Sequence, residues 1–442
     1  MKNTHHQLAY SVFVLGFLIW GLTAGIVSRA FAQEAELGKI LHRVESNAPA
    51  LKAAHENTEI YRANKKEGLG ALFGNINAFS QLQYYNDNRL TRPISPPINF
   101  ATIPYDSKQI GYGLSLSLPL DINGQILTRL NALTHQERAA NLDEKQASLT
   151  LLNRAANLYR GIEAISGKID ALQRQSDAIK KQQTVTEVAV KIGRRPPVDQ
   201  LRMQSELSKI EGQIADANAT DARLRAYLAS LMGSDAFTDS VLVPSNQPVA
   251  NLNSLLNVAN RPDIQSLQEK KKAARSGLNT AREAWLPKAF VQASWMENQG
   301  FNGKGKNDPF WGIGITVNLP LWTGGVRSAR IQEAKAKEMA VFWQHKTVLA
   351  SANAEIKSAL SDWVAREKQF TAADQSLKTA TEVMRIQTER YRQGRLSVTD
   401  FLDAAARLAF ARATYAAALA GWWQADDNLR LAQGLPPSAY SH

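Results

Sequence analysis

A chain of 442 residues predicts about three average domains, yet no shift in composition breaks this one into separately patterned units. With 44% hydrophobic, 21% charged and 8% aromatic residues, it fits neither a disordered chain nor a polytopic helical membrane protein. The lack of cysteine excludes disulfide scaffolds, cysteine zinc sites, thiol catalysis and a lipidated N-terminal cysteine. The formal charge of +12 is spread along the chain rather than gathered into an arm, so no nucleic-acid partner is expected.

Lys2, the uncharged apolar run Ser11 to Val27 and the sequence Ala30-Phe31-Ala32 read as a signal peptide over 1–32, cleaved after Ala32. An uncleaved membrane anchor is the alternative, because the run approaches the roughly 20 residues that span a bilayer. An exported chain with no second apolar span belongs in the periplasm, outside the cell or in an outer membrane.

The rest is written twice. Leu118-Pro119-Leu120 recurs as Leu319-Pro320-Leu321, and Gly124, Gly193, Asp199 and Gly233 recur as Gly325, Gly394, Asp400 and Gly434, all at an offset of 201. Upstream, Pro49 and Pro262 pair at 213, which leaves twelve extra residues in the first copy. The proline-rich stretch Asn86 to Lys108 is where a loop would absorb them. The expected division is a first repeat over 33–233, a linker over 234–251, a second repeat over 252–434 and a tail over 435–442.

In chain order, a helix precedes strands expected at 75–85 and 108–118. In the second of these Leu114, Leu116 and Leu118 alternate with Ser115 and Ser117. Gly124 to Lys191 holds no proline, so its 68 residues can form a helix of about 100 Å. A turn at 192–198, with Gly193, Pro196 and Pro197, returns the chain into Val198 to Met232. There Leu207, Ile210, Ile214, Ala217, Asp221, Leu224, Leu228 and Leu231 fall at coiled-coil spacing, which an ordinary helical bundle shares. The second copy repeats the theme. A helix is expected over Leu252 to Leu286, strands at 288–297 and 310–319, and an exposed hairpin loop around Gly303 and Gly305. A long helix from Gly325 to Gln393, a tip turn at 394–399 and a seam from Phe401 to Trp422 follow. Short helices stacked in pairs would match the long ones in height, giving antiparallel rods.

Alternating strands of about ten residues with aromatics near one end suit a transmembrane barrel, although a soluble hairpin packed on one face gives the same pattern. Four strands cannot close a barrel, and an open sheet edge in lipid leaves backbone groups unpaired. If the strands enter a membrane the chain must oligomerise. Two copies would give eight strands and three would give twelve.

Tyr391-Arg-Gln-Gly-Arg-Leu-Ser-Val-Thr-Asp-Phe-Leu-Asp-Ala404 resembles the Y-x-x-G-x-x-x-x-x-D-x-L-D-A segment of the TolC-like outer membrane efflux protein family. Arg261-Pro262-Asp263-Ile264 and Leu319-Pro-Leu-Trp-Thr-Gly-Gly325 resemble two further landmarks of that family, in the same order. The resemblance implies an α+β, mostly helical chain with a duplicated helix-strand-strand-helix-helix repeat. It implies a homotrimer whose twelve-stranded barrel sits on an antiparallel coiled-coil tunnel in the outer membrane of a Gram-negative bacterium. Implied partners are outer-membrane lipid, a periplasmic adaptor (a membrane fusion protein) and an inner-membrane pump, the adaptor docking at the tip turns of Gly193, Pro196, Pro197 and Gly394. Pro119, Gly124, Pro320 and Gly325 would mark the strand-to-helix junctions. Asp400 and Asp403 would ring the periplasmic constriction, and Asp199 would accept a hydrogen bond from Tyr391. Where close members carry a gate arginine this chain has Leu396, with Arg395 one residue earlier. For Asp199, Asp400 and Asp403 helix capping is the plainer reading.

His42, His55, His135, His345 and His442 show no metal-ligand spacing, and no phosphate loop, nucleophile elbow or dinucleotide fingerprint occurs. Neither a metal, a cofactor nor an enzymatic activity is expected. The expected function is a passive, trimeric exit duct of a tripartite efflux or type I secretion system, gated at its periplasmic tip. The alternative is a periplasmic adaptor or coiled-coil protein that does not conduct. Two full helical hairpins with duplicated strands favour the duct.

Overall fold

The computed structural model describes residues 36–239, 241, 247–248, 258–301 and 309–441. The expected signal peptide, much of the expected linker and the loop stretch 302–308 lie outside them. Among the described residues no helix is long and apolar enough to cross a membrane. The elements run α1 (36–47), α2 (Pro49–Gly70), β1 (Asn75–Leu90), β2 (Tyr105–Leu120), α3 (Gln125–Lys191) and α4 (Pro197–Met232). The order then repeats as α5 (Pro262–Glu283), β3 (Lys288–Gly300), β4 (Phe310–Asn318), α6 (Val326–Arg392) and α7 (Val398–Ala432). The two long helices, α3 and α6, are both 67 residues. Two compact units result. One is helical and contains Asp143–Ile264 and Val348–His442 with the chain up to His55, and the other contains Glu56–Leu142 and Gln265–Thr347 with all four strands.

The strands form one antiparallel sheet in the order β1-β2-β3-β4, so within the chain β1 and β4 are its edges. Register turns the period-two alternation into two chemically different faces. On one face Ile76, Leu116, Ala293 and Ile313 lie in a row, and the next row is Ala78, Leu114, Trp295 and Trp311. On the opposite face the intervening rows are Asn77, Ser115, Ser294 and Gly312, then Asn75, Ser117, Gln292 and Gly314. The apolar face is uncovered in the chain: Ile76 is 73% exposed, Trp311 75% and Ile313 68%.

Several boundaries differ from the sequence reading. β1 extends beyond 85 to Leu90 because Arg89 and Leu90 pair with Asp106 and Tyr105 after a register shift past Tyr84. The buried Gln109 amide holds that irregularity by donating to the carbonyls of Arg89 and Asp106 at 2.9 Å each. Pro119 lies inside β2 rather than at a junction. It pairs toward β3, opposite Phe290, whereas the β1 ladder has ended at Asn75, so its missing N–H costs nothing on that side. The junction itself is Asp121 to Gly124: the Asp121 carboxylate accepts from the N–H groups of Ile126 (2.9 Å) and Leu127 (3.0 Å) and caps α3. Pro320 follows the end of β4, and both Gly124 and Gly325 have positive φ. α5 begins at Pro262, since proline is favoured at the first helical position and breaks an interior, and residues 252–257 of the expected helix lie outside the described residues.

In the helical unit, Leu37, Ile40, Leu41 and Val44 of α1 pack on Leu152, Tyr159 and Leu228. A second cluster of Trp363, Phe370, Leu419, Trp422 and Trp423 joins α6 and α7. The fully buried Arg160 sits between Glu163 (3.1 Å) and Asp427 (3.8 Å) with its guanidinium 4.7 Å from the Trp423 ring, an arrangement that keeps a buried charge paired. The duplication also appears in contacts: Gly233 and Gly434 each turn the chain with positive φ, one against Pro49 and the other against Arg261 and Pro262. In the sheet-bearing unit, polar side-chain contacts join helices. Lys65 reaches Glu137 at 2.8 Å and His135 reaches Glu269 at 2.7 Å.

Candidate gate at the two helix-hairpin tips

Each tip is one helix end, a glycine and a helix start. At the first, the Gly193 N–H donates to the Val190 carbonyl (3.0 Å) and Arg194 N–H to Ala189 (2.8 Å). At the second, Gly394 donates to Tyr391 (3.0 Å) and Arg395 to Arg390 (2.9 Å). With φ of 72° and 73°, both glycines close a Schellman-type cap in the left-handed region, which satisfies carbonyls that the helix leaves free. The restarts differ. Pro196 caps α4 without a side-chain bond and Pro197 occupies the first turn, whereas the Ser397 hydroxyl of α7 accepts from the Asp400 N–H at 3.1 Å.

Arg195 joins the tips. Its Nη1 and Nη2 both donate to the Leu396 carbonyl at 3.2 Å, and Nη2 also donates to the Tyr391 carbonyl at 3.1 Å. Nη1 lies 3.4 Å from the Asp199 carboxylate, and the guanidinium stacks 4.0 Å from the centre of the Tyr391 ring. A planar five-donor fork suits this task because it meets two carbonyls, a carboxylate and an aromatic face together. A second bridge runs from Arg202 Nη1 to the Thr399 hydroxyl at 2.9 Å. Beneath them, Tyr391 and Phe401 lie 5.0 Å apart in a cluster with Ile179, Met203, Leu207 and Val398.

Among the residues singled out by sequence, Asp199 and Tyr391 are both buried here but do not bond to each other. The Thr186 hydroxyl gives its proton to the Gln182 carbonyl (2.9 Å), so the Tyr391 phenol donates to Thr186 at 3.0 Å, and Arg195 stands between Tyr391 and Asp199. Arg395 is exposed and tied in through its backbone N–H. Asp400 and Asp403 are both exposed. The Asp400 carboxylate accepts from the hydroxyl of Ser397, the residue that caps α7, at 2.7 Å, and Asp403 pairs with Arg407 at 2.8 Å. Gly193, Pro196 and Gly394 lie in the turns, as expected from sequence, whereas Pro197 opens α4. Arg195 joins the two tips and is not among the residues singled out by sequence. The offset of 201 places it opposite Leu396, the very position where the resemblance asks for an arginine.

The profile of the outer membrane efflux protein family matches residues 40–234 and 256–435, which takes in both tips and all four strands. Nodulation protein T of Rhizobium leguminosarum bv. trifolii is 25% identical over 244 residues, 52% of this chain and 52% of its own length. The solvent efflux pump outer membrane protein SrpC of Pseudomonas putida is 22% identical over 394 residues, 85% of this chain and 80% of its own. By fold, the outer membrane protein VceC of Vibrio cholerae superposes with a TM-score of 0.75 at 17% identity, covering 91% of this chain and 97% of its own. The Campylobacter jejuni CmeC outer membrane channel gives 0.76 at 19% identity, covering 92% and 88%. Two copies of the hairpin, a four-stranded sheet with one apolar face and a family match along both halves agree: the chain belongs to the outer membrane efflux protein family.

Proposed function

We propose that three copies of this chain form a passive exit duct in the outer membrane, closing at the hairpin tips. The observation that carries the reading is the sheet: an uncovered apolar face, a polar opposite face and two open edges. An open edge is unsustainable in lipid, whereas β4 of one copy pairing with β1 of the next, three times over, removes every edge. Four strands per chain then give twelve, with apolar rows toward lipid and polar rows inward. The helical unit supplies the periplasmic part. A periplasmic adaptor docks at the tip turns, and an inner-membrane pump supplies energy and chooses the cargo.

In this reading Arg195 is the intrachain clasp of the closed tip. Its bonds to the Tyr391 and Leu396 carbonyls must break for the second hairpin to swing away from the first. Two measurements test the proposal. On a sucrose density gradient of lysed envelopes the protein is expected in the dense outer-membrane fraction and to need detergent for release; recovery as a soluble periplasmic protein would refute the duct. In planar bilayers Arg195→Ala is expected to raise single-channel conductance severalfold, and unchanged conductance would remove Arg195 from the gate.

A further inference from the structure

The aspartates at the tips are not free carboxylates. Asp199 is buried beside Arg195, the Asp400 carboxylate is engaged by its own helix cap, and Asp403 is bound by Arg407 through Nε at 2.8 Å. Asp403 and Arg407 are four residues apart on α7, so they share one face. Their side chains are 59% and 75% exposed, opposite the buried face of Ala404, Ala405 and Leu408. Any arrangement that turns Asp403 toward an axis therefore turns Arg407 toward it as well, about 6 Å along the helix. Around them the two turns are basic. Lys191, Arg194, Arg202, Arg390, Arg392 and Arg395 are all exposed, while Asp400 and Asp403 are the only aspartates exposed from 191 to 202 and from 390 to 403, and no glutamate occurs there.

We propose that Arg407 sets the charge selectivity of this duct: it neutralises the Asp403 ring, so that the constriction passes anions at least as readily as cations. The inference rests on the duct reading given above. A ring of three carboxylates alone favours cations, and rings of arginine or lysine favour anions. Here three carboxylates and three guanidiniums alternate within less than a Debye length at physiological salt, about 8 Å, and a permeating ion sees their sum. The surplus of exposed arginines nearby tips that sum toward anions.

The test uses the purified full-length protein in planar bilayers under a KCl gradient, with reversal potential as the readout. The wild-type protein is expected to reverse near zero or on the chloride side. Arg407→Gln should raise the potassium-to-chloride permeability ratio at least about threefold by unmasking the carboxylates, and Asp403→Asn should lower it. The double change Asp403→Arg with Arg407→Glu, which keeps the pair, should retain the wild-type ratio. An exposed pair of this spacing contributes little to stability, so these variants are expected to fold. Clear cation selectivity of the wild-type protein, or a ratio unmoved by Arg407→Gln, overturns the assignment of Arg407 and leaves the duct standing. A protein that gives no conductance overturns the duct reading and this assignment with it.

Discussion

The two hairpin tips descend from one pattern and have taken different parts. Both turn on a left-handed glycine with the same pair of backbone bonds. The first then stiffens itself with Pro196 and Pro197 and presents Arg195. The second starts on a serine cap and offers that arginine the carbonyls of Tyr391 and Leu396 and the face of the Tyr391 ring. A single donor side chain holding two carbonyls and one aromatic ring makes a latch between the tips. These charge-assisted bonds lie over an apolar cluster that Tyr391, Val398 and Phe401 share with Ile179, Met203 and Leu207, so the two hairpins are joined by both.

The largest effect should come from removing the donor. Arg195→Ala deletes three hydrogen bonds and leaves the buried Asp199 carboxylate without its cation, so a loss of about 3 kcal/mol is expected in urea titrations of the detergent-solubilised protein. Arg395→Ala, one register step from the position of Leu396, should cost no more than about 0.5 kcal/mol. Equal losses would mean that the two tips share the latch. Next come the glycines: with no heavy atom within 4 Å of an added Cβ at Gly193 or Gly394, alanine at either costs only the left-handed backbone, about 1 kcal/mol at each. A clear inequality between them would show that one turn is already strained. Ser397→Ala should cost about 1 kcal/mol by loss of the cap, whereas Pro196→Ala has no side-chain cap to lose and should cost about 0.5 kcal/mol through the unfolded chain.

The smallest effect lies outside the tips and serves as their control. Lys65 donates to Glu137 and holds its carboxyl below the usual range, against burial, which works the other way. A lowered carboxyl pKa stabilises the folded state above the unfolded pKa, and that contribution is lost as pH falls through the folded value. Thermal melts of the wild-type protein should therefore weaken below about pH 4, and Lys65→Met should flatten that part of the profile. A tip variant such as Arg195→Ala should leave it intact.

How far the chain could be read beforehand follows the physics of each signal. Strand alternation and the offset of 201 are periodic, and periodicity survives in sequence, so the sheet faces and both glycine turns were legible. The start of α5 was legible as well, in Pro262. β1 beyond Tyr84 was not legible. Asn86 to Leu90 has turn composition and is carried as strand by a buried glutamine amide from β2, a long-range contact with no local trace. At the tips, the types and places of Tyr391, Asp199 and Asp403 could be read, but the partners of Tyr391 could not. Thr186 and Arg195 reach Tyr391 across packed helices, on which spacing along the chain is silent, whereas Arg195 with Asp199 and Arg407 with Asp403 are four residues apart and within reach of a spacing argument.

The two bare edges of the sheet bear on how such a protein is made. A single copy carries a β1 of 16 residues and a β4 of 9 with one side of each unsatisfied, beside an apolar face that water does not tolerate. In the proposed assembly a lone chain has nowhere to rest: lipid rejects its edges and water rejects its face. Insertion and association would then be one event, steep in copy number, and the unassembled chain would be the species most exposed to proteases and holding chaperones. Half the expression of such a gene would yield far less than half the ducts.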